Sequence, residues 1–131
     1  MIVVDASAVV EVLVQSTAAE GIERRIRRRD DSLHAPHLID VEVVHALRGL
    51  ATAARDRPGR AEQARSSFGE LAVMRHPHRA LLDRAWELRE VLTACDAVYV
   101  ALPEALRAPL VTADMRLAKT VGHAARIELF R

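Results

Sequence analysis

The chain has 131 residues, half of them hydrophobic and 28% charged, with a formal charge of +1; this is one domain, residues 1–131, with enough apolar material for a packed core, and it excludes wholesale disorder and any strong global attraction to polyanions. Aromatic residues make up 3%, which excludes base-stacking platforms and leaves the core to Ala, Val, Leu and Ile. Cys95 is the only cysteine, so an internal disulfide and a cysteine-based zinc site are ruled out, and a reducing compartment is expected.

The opening run IVV, residues 2–4, is β-branched and stops at Asp5, which reads as a short buried strand. Interrupted by Asp5 and Glu11 and lacking a basic lead, this segment is neither a signal peptide nor a membrane span, and a soluble cytoplasmic protein is expected. ASAVVEVLV (6–14) has helical spacing, and a second helix is expected over 17–28, where Ala18, Ile22 and Ile26 repeat every fourth residue. SLHAP (32–36) reads as a strand ending at Pro36. The segment 37–54 reads as a long helix with Ile39, Val43, Leu47 and Leu50 on one side.

RDRPGR (55–60) is the clearest break and joins two helices. Beyond it come a helix at 61–68, a strand at 71–75, an amphipathic helix at 80–92 and another helix at 94–108. A strand at 109–113, a helix at 114–122 stopped by Gly122 and a strand at 126–130 complete the chain. Pro103 falls inside its helix, where it is expected to introduce a bend. Strands alternating with helices predict an α/β fold whose mainly parallel sheet is covered on both faces.

In such a sheet, ligands bind beyond the C-terminal ends of the strands. Asp5 and Asp114 follow strands that end on that edge, while Glu42 and Asp96 occupy early turns of helices that begin there. Carboxylates gathered so closely repel one another and raise each other's pKa unless a cation lies among them. An all-oxygen site without Cys or His selects a hard ion, Mg²⁺ or Mn²⁺, which suits phosphodiester hydrolysis. Each acid also has a structural role available. Asp5 and Asp114 suit N-caps, Thr93 and Asp96 have capping-box spacing, and Glu42 suits a solvated helix position.

IVVDASAVV, LIDVEVVHAL and above all CDAVYVALPEALRAPLVTADMRLAK resemble the PIN-domain nucleases, and within them the VapC-type toxins of bacterial toxin–antitoxin modules. The resemblance runs in matching order through nearly the whole chain. It implies a three-layer α/β/α fold with about five strands and an acidic metal-binding quartet of Asp5, Glu42, Asp96 and Asp114. Ser7 and Thr112 match its hydroxyl positions. The activity implied is Mg²⁺- or Mn²⁺-dependent endoribonuclease action on RNA. The partners implied are a VapB-type antitoxin that lays a peptide across the acidic groove and a second copy in a homodimer, with no membrane association.

Arg116 and Lys119, one turn past Asp114, are the candidate contacts to the substrate backbone. The arginines between Arg24 and Arg29 read as a solvated helix end suited to the dipole. HAPH and HPH lack zinc-site spacing, and Cys95, where the family more often has Tyr or Ser, reads as a small buried residue. A haloacid-dehalogenase-like phosphatase would need an acid where Ser7 stands, and a receiver domain would need an acidic pair at the first strand. A PIN-fold RNA-processing nuclease outside a toxin module and a catalytically silent binding module are the remaining alternatives.

Overall fold

In a computed structural model describing residues 1–53 and 57–131, Ile2–Val4 form β1, followed by α1 (Ala6–Leu13) and α2 (Ala19–Ile26). Next come β2 (Leu33–Pro36), α3 (Leu38–Thr52), α4 (Arg60–Glu70) and β3 (Val73–His76). The remainder is a 3₁₀ turn at His78–Leu81, α5 (Leu82–Glu87), α6 (Ala94–Leu106), β4 (Leu110–Thr112), α7 (Met115–Lys119) and β5 (Ile127–Leu129). Part of the expected 55–60 break lies outside the described residues; Gly59, at its end, takes φ 83° and leads into α4.

All five strands pair in parallel, in the order β3-β2-β1-β4-β5. The chain builds outward from β1 through β2 to β3, then crosses back and adds β4 and β5 on the other side. Consecutive side chains of β1 and β4 alternate between the faces, as a strand period of two requires. Ile2, Val4 and Val111 pack with α1 to α4. Val3 and Leu110 pack with α5, α6 and α7. The result is the three-layer α/β/α arrangement expected, with β1 buried on both faces as an inner parallel strand must be.

α2 is shorter than the expected 17–28, and three later helices are shaped by local features. The helix expected over 80–92 starts as a 3₁₀ turn and ends at Glu87, because Thr93 adopts an extended conformation, ψ 160°, to cap α6 and the chain must leave the helix beforehand. α7 stops at Lys119 because Thr120 is extended, and Gly122, at φ 91°, lies in the following turn. α6 is assigned as one helix through Pro103 to Leu106, where Arg107 takes a left-handed conformation. Pro103 falls in the last turns, so the helix needs only one more turn beyond it. Among the described residues, no helix is long and apolar enough to cross a membrane.

Candidate active site

The reversal in strand order falls between β1 and β4, and an open parallel sheet forms its ligand crevice at such a point. Asp5 leaves β1 there and caps α1 with extended backbone, φ −94° and ψ 169°. Its Oδ1 accepts from Ala8 N at 2.9 Å and from Ser7 Oγ at 2.7 Å. Its Oδ2 accepts from Thr112 Oγ1 at 2.6 Å, across from β4. Ser7 Oγ in turn accepts from Ala113 N at 2.9 Å, and Thr112 Oγ1 accepts from Asp114 N at 2.9 Å. Each hydroxyl has a single proton, and Asp5 takes both. The 3.3 Å between the two hydroxyl oxygens is therefore a contact rather than a third bond.

Asp5 is 5% exposed. Burial pushes its pKa above the ordinary carboxylate value, more than the hydrogen bonds from Thr112, Ala8 and Ser7 lower it, and the Asp114 charge adds to the rise. Asp114 is different. Burial raises its pKa too, but Arg116 N at 2.7 Å, Leu117 N and the Arg116 guanidinium outweigh that and leave it lowered. Asp114 thus caps α7, as Asp5 caps α1.

Glu42 stands in the second turn of α3, and Asp96 in the first turn of α6, where its N–H donates to the Thr93 cap at 3.2 Å. Burial raises the Glu42 pKa and Asp96 raises it further, while Tyr99 and His45 pull the other way. Among the described residues no hydrogen bond reaches the Asp96 carboxylate. The Asp114 charge thus adds to the shift of Asp5, and the Asp96 charge to that of Glu42. Among the described residues no three acidic, histidine or cysteine side chains are drawn together as a finished cage for an ion.

Tyr99 was not foreseen, although it lies one helical turn beyond Asp96 and is the only tyrosine. It is 3% exposed and belongs to the core cluster that includes Val4, Ile39 and Val43. Burial and the charges of Glu42 and Asp5 push its phenol pKa far upward. The Glu42 carboxylate is near enough to be stabilised by that hydroxyl, yet among the described residues the contact does not reach the geometry of a hydrogen bond. An unsatisfied buried hydroxyl of this kind costs about 1–3 kcal/mol.

The donor set fits a hard divalent cation. The acids and hydroxyls of this edge offer oxygen atoms, and burial raises the pKa values of Asp5 and Glu42. A cation offsets the desolvation and repulsion together.

Cys95 is exposed, not buried as its size suggested. It sits in the first turn of α6, ahead of the buried run that begins at Ala97. Partial desolvation, Glu42 and Asp96 raise its thiol pKa, so it is not a ready nucleophile. Among the arginines near the end of α2, Arg24 pairs with Glu20, and Arg25 bridges Asp31 at 2.7 Å and Glu128 at 2.6 Å. Arg116 is exposed beside Asp114, and Lys119 is exposed on the same short helix. HAPH and HPH meet in space, with His34 Nδ1 2.8 Å from His76 Nε2 and Ser32 Oγ 2.8 Å from His34 Nε2. This pair joins β2 to β3 and is structural.

Residues 2–122 match the PIN domain family, and the chain belongs to it. Among its relatives are VapC ribonuclease Mb0985 of Mycobacterium bovis, 47% identical over 92% of this chain and 91% of that protein, and ribonuclease VapC12 of Mycobacterium tuberculosis, 40% identical over 98% of each chain. The fold is similar to that of PAE2754 from Pyrobaculum aerophilum, with a TM-score of 0.66 and 26% identity over 95% of this chain and 81% of that one. It is also similar to VapBC2 from Rickettsia felis, solved with a DNA fragment from the promoter, with a TM-score of 0.67 and 12% identity over the full length of both chains.

Proposed function

We propose that this chain is a divalent-metal-dependent endoribonuclease that hydrolyses RNA phosphodiester bonds as the toxin of a VapBC-type module. The observation that carries the reading is the buried Asp5 carboxylate, held by Ser7 and Thr112 at the β1/β4 reversal, in a chain 40–47% identical to named VapC ribonucleases.

Asp5, Glu42, Asp96 and Asp114 would hold Mg²⁺ or Mn²⁺. A bound ion supplies positive charge against the scissile phosphate and makes a neighbouring water more acidic. Ser7 and Thr112 fix the direction of the Asp5 oxygens, so this ligand needs no reorganisation when charge develops. Arg116 and Lys119 offer the substrate backbone two cations beside Asp114. Family membership also supports a VapB-type antitoxin whose peptide crosses the acidic groove, a homodimer and a cytoplasmic location.

Cleavage of single-stranded RNA in Mg²⁺ or Mn²⁺, in EDTA, and by Asp5→Asn protein tests the proposal. Activity is expected only for the unaltered chain with metal. Cleavage that persists in EDTA, or in the Asp5→Asn protein, overturns it.

A further inference from the structure

We propose that Ser32, His34 and His76 form a pH-sensitive latch, in which a shared proton ties the outer strand β3 to β2 and a further proton load, taken up in mild acid, releases it. The latch does not depend on reading the acids of the site as ligands.

His34 Nδ1 stands 2.8 Å from His76 Nε2, and His34 Nε2 stands 2.8 Å from Ser32 Oγ. His34 is 4% exposed and pairs in register with Val3 of β1, which belongs to the core layer under α5, α6 and α7, so its ring looks into that layer. His76 is half-buried. A neutral imidazole has one N–H and one lone pair, so the bond between the rings holds one proton, whichever ring owns it. One extra proton fits on His76, whose Nε2–H then donates to His34 Nδ1 while His34 Nε2–H donates to Ser32. Two do not fit, because both ring nitrogens would then present hydrogens across the same 2.8 Å.

Among the described residues, the charges on the neighbouring elements do not ease that second proton. The Met1 ammonium ahead of β1 is bonded to Asp31 at 2.9 Å. α3 covers the opposite face, where Arg75 of β3 is bonded to Asp40. In α6, Cys95 and Asp96 lie in the first turn, Tyr99 belongs to the other core cluster and Glu104 is bonded to Arg84. Burial, then the charges of His76 and the Met1 ammonium, holds the His34 pKa below the ordinary histidine value of 6.5. The closed latch therefore binds fewer protons than the opened one. Its contribution is complete above about pH 6.5 and is lost as pH falls from there toward the lowered value.

Among the described residues β3 pairs with β2 alone, and His76 O accepts from His37 N at 2.9 Å, one residue ahead of α3. Release thus frees the outer strand and the start of the helix that carries Glu42.

The test follows the His34 and His76 rings by NMR from about pH 8 to about pH 5, and amide exchange at about pH 7.5 and about pH 5.5, in wild type and His76→Gln. The His34 ring is expected to stay neutral for as long as β3 is paired. Protection of Val73–His76 and His37, corrected for intrinsic exchange and measured against β1 and β4, should fall by up to about ten-fold per pH unit below 6.5, the limit set by one excluded proton. In His76→Gln the amide oxygen accepts from a protonated His34, so the fall should be much smaller. A His34 ring that titrates at the ordinary value while β3 stays protected, protection that does not change with pH, or an equal fall in His76→Gln each overturns the latch. If His76→Gln does not fold, the two wild-type measurements decide.

Discussion

Thr112 Oγ1 lies 2.6 Å from Asp5 Oδ2, a hydrogen bond between the ends of β4 and β1 that spans 107 residues of sequence. The same oxygen accepts from Asp114 N, so one hydroxyl serves two of the acids. Thr112→Val keeps the shape and removes both bonds. The Asp5 oxygen then loses one partner in a buried setting, at about 1–3 kcal/mol. Urea unfolding should show that loss, and RNA cleavage should fall with it. An unchanged unfolding midpoint would contradict the role assigned to Thr112.

Asp96 offers a test in which the proposed chemistry is separable from folding. Its backbone is capped by Thr93, while its carboxylate has no hydrogen-bond partner among the described residues. Asp96→Asn should therefore leave the melting temperature unchanged and reduce cleavage by about 10³-fold, equivalent to several kcal/mol of lost charge stabilisation. A fully active Asp96→Asn protein would remove this residue from the site.

The pH dependence follows from the raised pKa of Asp5. Its folded value exceeds its unfolded value, so in metal-free protein its favourable contribution is complete below the unfolded pKa and is lost as pH rises through the folded one. Glu42 shifts in the same direction. Asp5→Asn removes this ionisation but also turns one accepting oxygen into a donor, so its melting temperature should gain on that of the metal-free wild type as pH rises from mild acid toward pH 7. Mn²⁺ at 100 times its Kd should then stabilise the wild type by about 2.7 kcal/mol and the variant by less. Scanning calorimetry at both pH values checks each sign.

Arg25 ties the end of α2 to Asp31 and to Glu128 on the edge strand β5. With its side chain 14% exposed, Arg25→Ala should cost about 1.5–3 kcal/mol through two charge-assisted contacts, with hydrogen exchange accelerated first in β5. RNA binding should not change, because the Arg25 guanidinium is engaged within the fold.

Arg116→Ala and Lys119→Ala should each weaken binding of a non-cleavable single-stranded RNA and lower the slope of log affinity against log salt by about 1. Fluorescence anisotropy from low to moderate salt provides the measurement. A slope unchanged in both variants would place the RNA elsewhere.

Strand positions were legible because short β-branched runs such as IVV and LVT are bounded by residues that cap helices. Asp5, Thr93 and Asp114 were readable as caps from local spacing alone, and each is one in the structure. Helix lengths were less legible, since the stop before α6 is set by the cap at Thr93 rather than by the amphipathic pattern of 80–92. Pairing was hidden too: no spacing rule joins His34 to His76. The exposure of Cys95 depends on the first turn of α6 preceding the helix's buried face, which apolar character in the sequence does not reveal.

β1 is the first strand made, yet one of its neighbours in the sheet, β4, is among the last. Until residues 110–114 have been synthesised, Asp5 lacks its threonine clasp and its fellow acid, and the crevice has only one wall. A fragment of this chain that stops before residue 110 therefore carries Asp5 without the partner that clasps it across 107 residues of sequence.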